Sequence, residues 1–193
     1  MQPLLERLMT TFPDAVRGVE VDTARNEITA RVAAARIVDV ARWLHDTPEA
    51  SFDHITDICS VDYPNDPERF EVVYQLLSLA HRRRIRLKAR VTEDAPQIAS
   101  VTGIWKGAEF MEREVYDLMG ITFVGHPDLR RILLPEDYEE GHPLRKDFPT
   151  EGRGWRSSFP FIPRLDEAPE EQTEGEVPEQ EKQAYLVAEH QGG

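Results

Sequence analysis

Four prolines (Pro127, Pro135, Pro143 and Pro149) and two glycines (Gly125 and Gly141) fall between residues 121 and 149. No long helix or central strand can form through them. The stretch is nevertheless apolar, with Ile121, Phe123, Leu129, Ile132, Leu133, Leu134, Leu144 and Phe148 all calling for burial. Backbone that builds no regular structure must still satisfy its N–H and C=O groups. The expectation is an extended arm, residues 121–163, that satisfies its backbone by pressing onto a partner.

A helix should lead into that arm. Met111, Val115 and Leu118 recur at helical spacing, with Phe110 and Met119 widening the stripe, and Gly120 suits a left-handed C-terminal cap. Arg113 and Asp117 stand four apart, as do Glu109 and Arg113, which predicts helix-surface ion pairs. Glu112 and Glu114 face different ways, so they are not a carboxylate pair. An acid doing more than local pairing would meet an arginine of a partner.

Upstream, a helix is predicted over Pro3–Thr11, strands over Val16–Val21 and Glu27–Val32, and a turn through Asp22–Asn26. A second helix follows over Ala35–His45. Strands are then expected at Ser51–Asp62, at Phe70–Leu79 (apolar on both faces, hence interior) and at Arg84–Val91. In the last of these Ile85, Leu87, Ala89 and Val91 alternate with Arg84, Arg86, Lys88 and Arg90. The basic face could meet an acidic neighbour, solvent or the chain's own acidic tail. A short helix is expected near Gln97–Trp105. The fold class is α+β, a mainly antiparallel sheet with helices packed on one face, followed by the extended arm and an acidic tail. The division is residues 1–120 for the globular domain, 121–163 for the arm and 164–193 for a flexible tail.

The net charge of −13 argues against nucleic acid, since neutralising phosphates takes clustered Lys and Arg. Of the 36 acids and 23 bases, 9 and 2 lie between Arg164 and Gly193, so the remainder is only mildly acidic. That tail is too polar and charged to order itself. The single cysteine, Cys59, permits neither an internal disulfide nor an iron–sulfur cluster on the chain's own thiolates, and reads as a small buried residue. No export signal or membrane span is expected, so contact with a membrane would come through other subunits. His126 and His142, each before a proline, read as histidines bonded to turn backbone or placed at an interface, more than as metal ligands. A free-standing metal hydrolase using His126, Asp137 and His142 is the remote alternative. The Gly152-Arg153-Gly154 run lacks the third glycine and preceding strand of a phosphate loop.

Glu112-Arg113-Glu114, Asp117, Leu118-Met119, His126, Arg130 and Ile132-Leu133 together resemble the signature of the 30-kDa subunit of the proton-pumping NADH:quinone oxidoreductase, respiratory complex I. Gly141 to Pro149 resembles that family's second landmark. The resemblance covers about half of the chain, from Phe52 to Pro149. It implies a non-catalytic structural subunit of the peripheral, quinone-reducing arm, in a hetero-oligomer. The expected neighbour is the large quinone-site subunit, on the cytoplasmic side of the inner membrane. Flavin and iron–sulfur clusters would sit in partner subunits, and this chain would hold no cofactor, metal or catalytic residue. Leu129–Leu134 and Pro143–Pro149 would act as a clamp. Arg130, Arg131 and Arg145, with Lys146, Asp147 and Phe148, would supply interface contacts. Membrane-bound hydrogenases, formate hydrogenlyase and related dehydrogenases contain similar scaffold subunits and remain the second implied setting.

Overall fold

The computed structural model describes residues 2–22 and 27–153. Helix α1 spans Gln2–Thr11, and strands β1 (Val16–Asp22) and β2 (Glu27–Val32) pair antiparallel. Residues 23–26 of the expected turn, and the acidic tail, lie outside the described residues. A 3-10 turn, Ala34–Arg36, opens α2 (Ile37–Asp46). Strands β3 (His54–Asp62), β4 (Phe70–Ser78) and β5 (Arg83–Val91) complete a sheet of order β1-β2-β5-β4-β3. All its pairings are antiparallel except β2 with β5.

The alternation in β5 places Ile85, Leu87, Ala89 and Val91 on the face that meets Phe70, Val72, Tyr74 and Leu76 of β4. Leu4, Leu5 and Leu8 of α1 and Ile37, Val40, Ala41 and Leu44 of α2 close that core. The interior position expected for β4 follows, since β3 and β5 flank it.

On the opposite face the bases meet this chain's own acids. Lys88 lies 2.8 Å and Arg90 3.2 Å from Glu71, Arg86 lies 3.4 Å from Glu27, and Arg90 also pairs with Asp66. Cross-strand register makes this unavoidable, because Glu71 stands opposite Arg90. Arg86, Lys88 and Arg90 thus have a partner that was not among the three expected for that face, while Arg84 stays exposed. Cys59, expected to be buried, is exposed. It lies on β3, an edge strand, with its side chain left open among the described residues.

The helix expected at Gln97–Trp105 is also corrected. Gln97–Ala99 is a strand, β6, paired in parallel with β7 (Thr122–Val124), and turns follow to Gly107. A run of β-branched residues, Ile98, Val101, Thr102 and Ile104, with Gly103, favours this over a helix. Helix α3 then runs Ala108–Met119 and ends on Gly120 in the left-handed conformation (φ 71°), as its sequence predicts.

Candidate functional site

Helix α3 carries three buried charges on adjacent turns, and each holds backbone. Glu112, fully buried, accepts from the Val101 N–H (2.7 Å) and the Ser100 hydroxyl (2.6 Å), fixing the loop between β6 and α3. Burial pushes its carboxyl above the ordinary range, against the pull of those two donors. Arg113 donates to the carbonyls of Arg130 (3.1 Å) and Arg131 (2.8 Å). Asp117 accepts from the amides of Ile132 (3.1 Å), Leu133 (2.9 Å) and Leu134 (2.8 Å), and from Arg131 at 2.9 Å. Burial alone would raise the Asp117 carboxyl, yet these amides and Arg131 hold it below the usual carboxylate value. Arg113 is 7% exposed and Asp117 1%, so the expected helix-surface ion pair is not what forms. The arginine that meets Asp117 comes from the same chain. Glu114 is exposed, on a different side from Glu112 as its spacing predicts.

The strap, residues 121–153, is therefore fastened to its own domain, where a foreign surface was expected to satisfy its backbone. One residue type reads carbonyls and the next reads amides along five consecutive positions, 130 to 134. His126 helps at one end: its Nε2 lies 3.0 Å from the Glu109 carbonyl, and its Nδ1 accepts from the Asp128 N–H. His142 lies at the other, with Nδ1 2.9 Å from the Asp117 carbonyl. Burial lowers the His142 pKa, and Arg145 and Arg131 nearby push the same way. Both rings bond backbone, but mostly that of helix α3, where turn backbone was expected; only the Asp128 N–H on His126 belongs to a turn. The strap passes so close to Gly120 that a Cβ there would collide with the His142 ring and the Arg145 guanidinium.

A second fastening lies at the end of β3 and β4. Arg69 makes a two-pronged pair with Asp62 (2.7 and 2.8 Å), and both are buried. Arg69 also reaches Asp147 at 2.8 Å and Glu93 at 2.5 Å, while the Lys146 N–H donates to Asp62 at 2.8 Å. Pairing with Asp62 raises the Arg69 pKa further, and Arg69 in turn depresses the Asp62 carboxyl. Arg145 donates to the Met119 carbonyl (2.8 Å) with its guanidinium 4.8 Å from the Phe70 ring centre. Phe148 is half-buried, with Arg153 5.3 Å from its ring centre. Arg131 and Arg145, expected as interface contacts, thus serve the fold. Arg130 remains exposed beside Asp128 (2.9 Å). Sequence reasoning missed Asp62, Arg69 and Ser100. The available signal was an arginine set directly before the strongly apolar strand β4.

Ile121, Phe123 and Tyr138 of the strap point inward, while other apolar side chains point the other way. Nine large hydrophobic residues are exposed among those described, and five of them, Phe110, Val124, Ile132, Leu133 and Leu144, lie on α3, β7 or the strap. Four of them, Phe110, Ile132, Leu133 and Leu144, lie on α3 or on strap residues bonded to it. Arg113 links Phe110 (5.9 Å from its ring centre) to residues 130 and 131, and the Leu144 N–H bonds Leu118 O. No group of three or more His, Cys, Asp or Glu able to hold a metal occurs among the described residues. No helix among them is long and apolar enough to cross a membrane.

Fold and fastenings define an α+β domain that holds an irregular strap against its third helix by the strap's backbone. Residues 30–154 match the family model described as respiratory-chain NADH dehydrogenase, 30 Kd subunit. The chain belongs to that family. The match begins well before Phe52, so it is wider than the motifs alone delimit. An NADH-quinone oxidoreductase subunit of Roseiflexus sp. (strain RS-1) is 51% identical over 146 residues, 76% of this chain and 82% of that protein. The same-named subunit of Xanthobacter autotrophicus is 50% identical over 152 residues, 79% of this chain and 71% of that one. Among solved structures, the trypsin-resistant fragment (1-134) of Nqo5 superposes with a TM-score of 0.55 at 32% identity, covering 66% of this chain and 98% of the fragment. A chain of the membrane-bound sulfane sulfur reductase, an archaeal respiratory membrane complex, shares the fold. Its TM-score is 0.69 at 24% identity, with 87% of this chain and 96% of that one covered.

Proposed function

We propose that this chain is a non-catalytic structural subunit of the peripheral, quinone-reducing arm of a proton-translocating NADH:quinone oxidoreductase. It docks through α3 and the strap onto the large subunit that helps to form the quinone site. Flavin and iron–sulfur clusters belong to partner subunits, and the chain sits on the cytoplasmic side of the membrane, held there by its neighbours. The observation that carries this reading is the split character of the strap. Its backbone is gripped by buried charges, while Ile132, Leu133 and Leu144 are 37%, 60% and 57% exposed. Apolar side chains held outward on a fixed backbone suit the dehydrated centre of an interface. The NADH-quinone oxidoreductase names of the relatives supply the machine.

Leu133→Asp and Leu144→Asp should each deplete the assembled complex on native gels and lower NADH:quinone activity of membranes, with the isolated chain's melting unchanged. Normal assembly in both variants would refute docking through the strap. The fold shared with the sulfane sulfur reductase chain supports a second reading, an equivalent scaffold in a membrane-bound hydrogenase or related dehydrogenase. Identification of the chains that co-purify with the native assembly separates the two.

A further inference from the structure

Apart from the Arg131 guanidinium on Asp117, the grip of α3 on residues 130 to 134 is on backbone. Arg113 takes two carbonyls and Asp117 takes three amides, so residues 130 to 134 are held through their peptide groups. Ile132 and Leu133 contribute nothing to that hold with their side chains and stay outward. Arg113 and Asp117 are themselves almost wholly buried beneath the strap, out of reach of any approaching protein. Two signature charges at the centre of a docking face are therefore in no position to be contact residues.

We infer that Arg113 and Asp117 are positioning residues that order the strap in the free chain, so that the large subunit meets a ridge already formed. The inference rests on the docking reading above. A segment that must order itself on a partner is binding-competent only part of the time, and its apparent affinity falls by that fraction. A preformed ridge removes that loss. Weakening the grip should then slow association while leaving the final contacts, and hence dissociation, nearly as they were. A residue that merely supported the domain would not split the two rates in this way.

The test uses the full chain, free and with the assembly purified from a strain lacking it. Hydrogen exchange on the free chain should find the amides of residues 132–134 protected. In Asp117→Asn that protection should fall about tenfold or more, while Val73 and Lys88 in β4 and β5 keep theirs. Association of Asp117→Asn with the depleted assembly should slow about tenfold, with dissociation changed less than threefold. Arg113→Gln removes only the two carbonyl contacts and covers the case in which Asp117→Asn fails to fold. Strap amides that exchange freely in the unmodified free chain, or a grip variant whose loss appears in dissociation alone, would overturn the inference. Leu133→Asp separates the two claims. It should keep the strap protected yet fail to bind; if it binds normally, the docking reading falls while the protection result still stands or fails by itself.

Discussion

In the five-stranded sheet, Tyr74 faces Leu87 and Phe70 faces Val91 across a ladder of backbone hydrogen bonds, over a core that α1 and α2 complete. In the strap no such ladder exists beyond the three residues of β7. Its peptide groups are held one by one, by Arg113, Asp117 and Asp62, and Arg145 ties it back to the end of α3. The sheet gains stability by removing apolar side chains from water, so those side chains are consumed by the fold. The strap sends Ile121, Phe123 and Tyr138 inward, but from residue 130 to 134 it is fastened mainly through its backbone, so Ile132 and Leu133 there, and Leu144 beyond, remain available. Buried charge is a poor source of net stability, because desolvation offsets much of the attraction. Here it fixes the conformation of residues 130 to 134, where Ile132 and Leu133 are not buried.

The contrast is broken most severely from the sheet side. Phe52 is fully buried and its carbonyl accepts from Trp105 Nε1 at 3.0 Å. Phe52→Ala should cost about 4 kcal/mol of global stability, read from the denaturant midpoint, because the cavity it leaves cannot fully collapse. Next comes Arg69→Met, which strips Asp62 of its buried counter-charge. About 3 kcal/mol is expected, and exchange protection should be lost at Lys146 before it is lost in the sheet. If both substitutions lowered only the global midpoint, sheet and strap would be one cooperative unit and the contrast would fail.

Gly120→Ala is smaller still, about 2 kcal/mol for a positive-φ position with no room for a Cβ. Its effect should concentrate near His142 and Arg145, and hydrogen exchange would show whether it does. Acid sharpens the same comparison. The His142 pKa lies below its ordinary 6.5, so its contribution is complete above that value and fades as the pH falls below it. The Asp117, Asp62 and Asp147 carboxyls lie below the ordinary 3.8, and their contributions are lost later, as the pH falls through those depressed values. Glu112, raised by burial, runs the other way and is relieved on protonation. Strap amides should therefore lose protection before sheet amides during a titration from pH 7 to 3.

The sheet was largely legible in the sequence because its signals are local. Period-two alternation in β5, the apolar run of β4 and the glycine cap of α3 each depend on a few neighbouring residues. The strap's apolar content and its prolines were equally plain. What could not be read was the return of that segment onto α3, since spacing along a helix places Arg113 and Asp117 within reach of each other but says nothing of residue 132 passing between them and solvent. Pairing over 78 residues, as between Arg69 and Asp147, leaves no local trace at all. Glu112 escapes local reading for a related reason. A glutamate reads as surface, and its burial follows only once Ser100 and Val101 are known to converge on it.

The most direct test of the grip is timed trypsin digestion of the free full-length chain, followed by mass spectrometry. Arg130 and Arg131 are trypsin sites whose carbonyls Arg113 holds. The bonds after them should survive well beyond cleavage at the exposed Arg82 in the β4–β5 turn, and Arg113→Gln should open them. Cleavage after Arg130 or Arg131 in the unaltered chain, as early as at Arg82, would contradict the account.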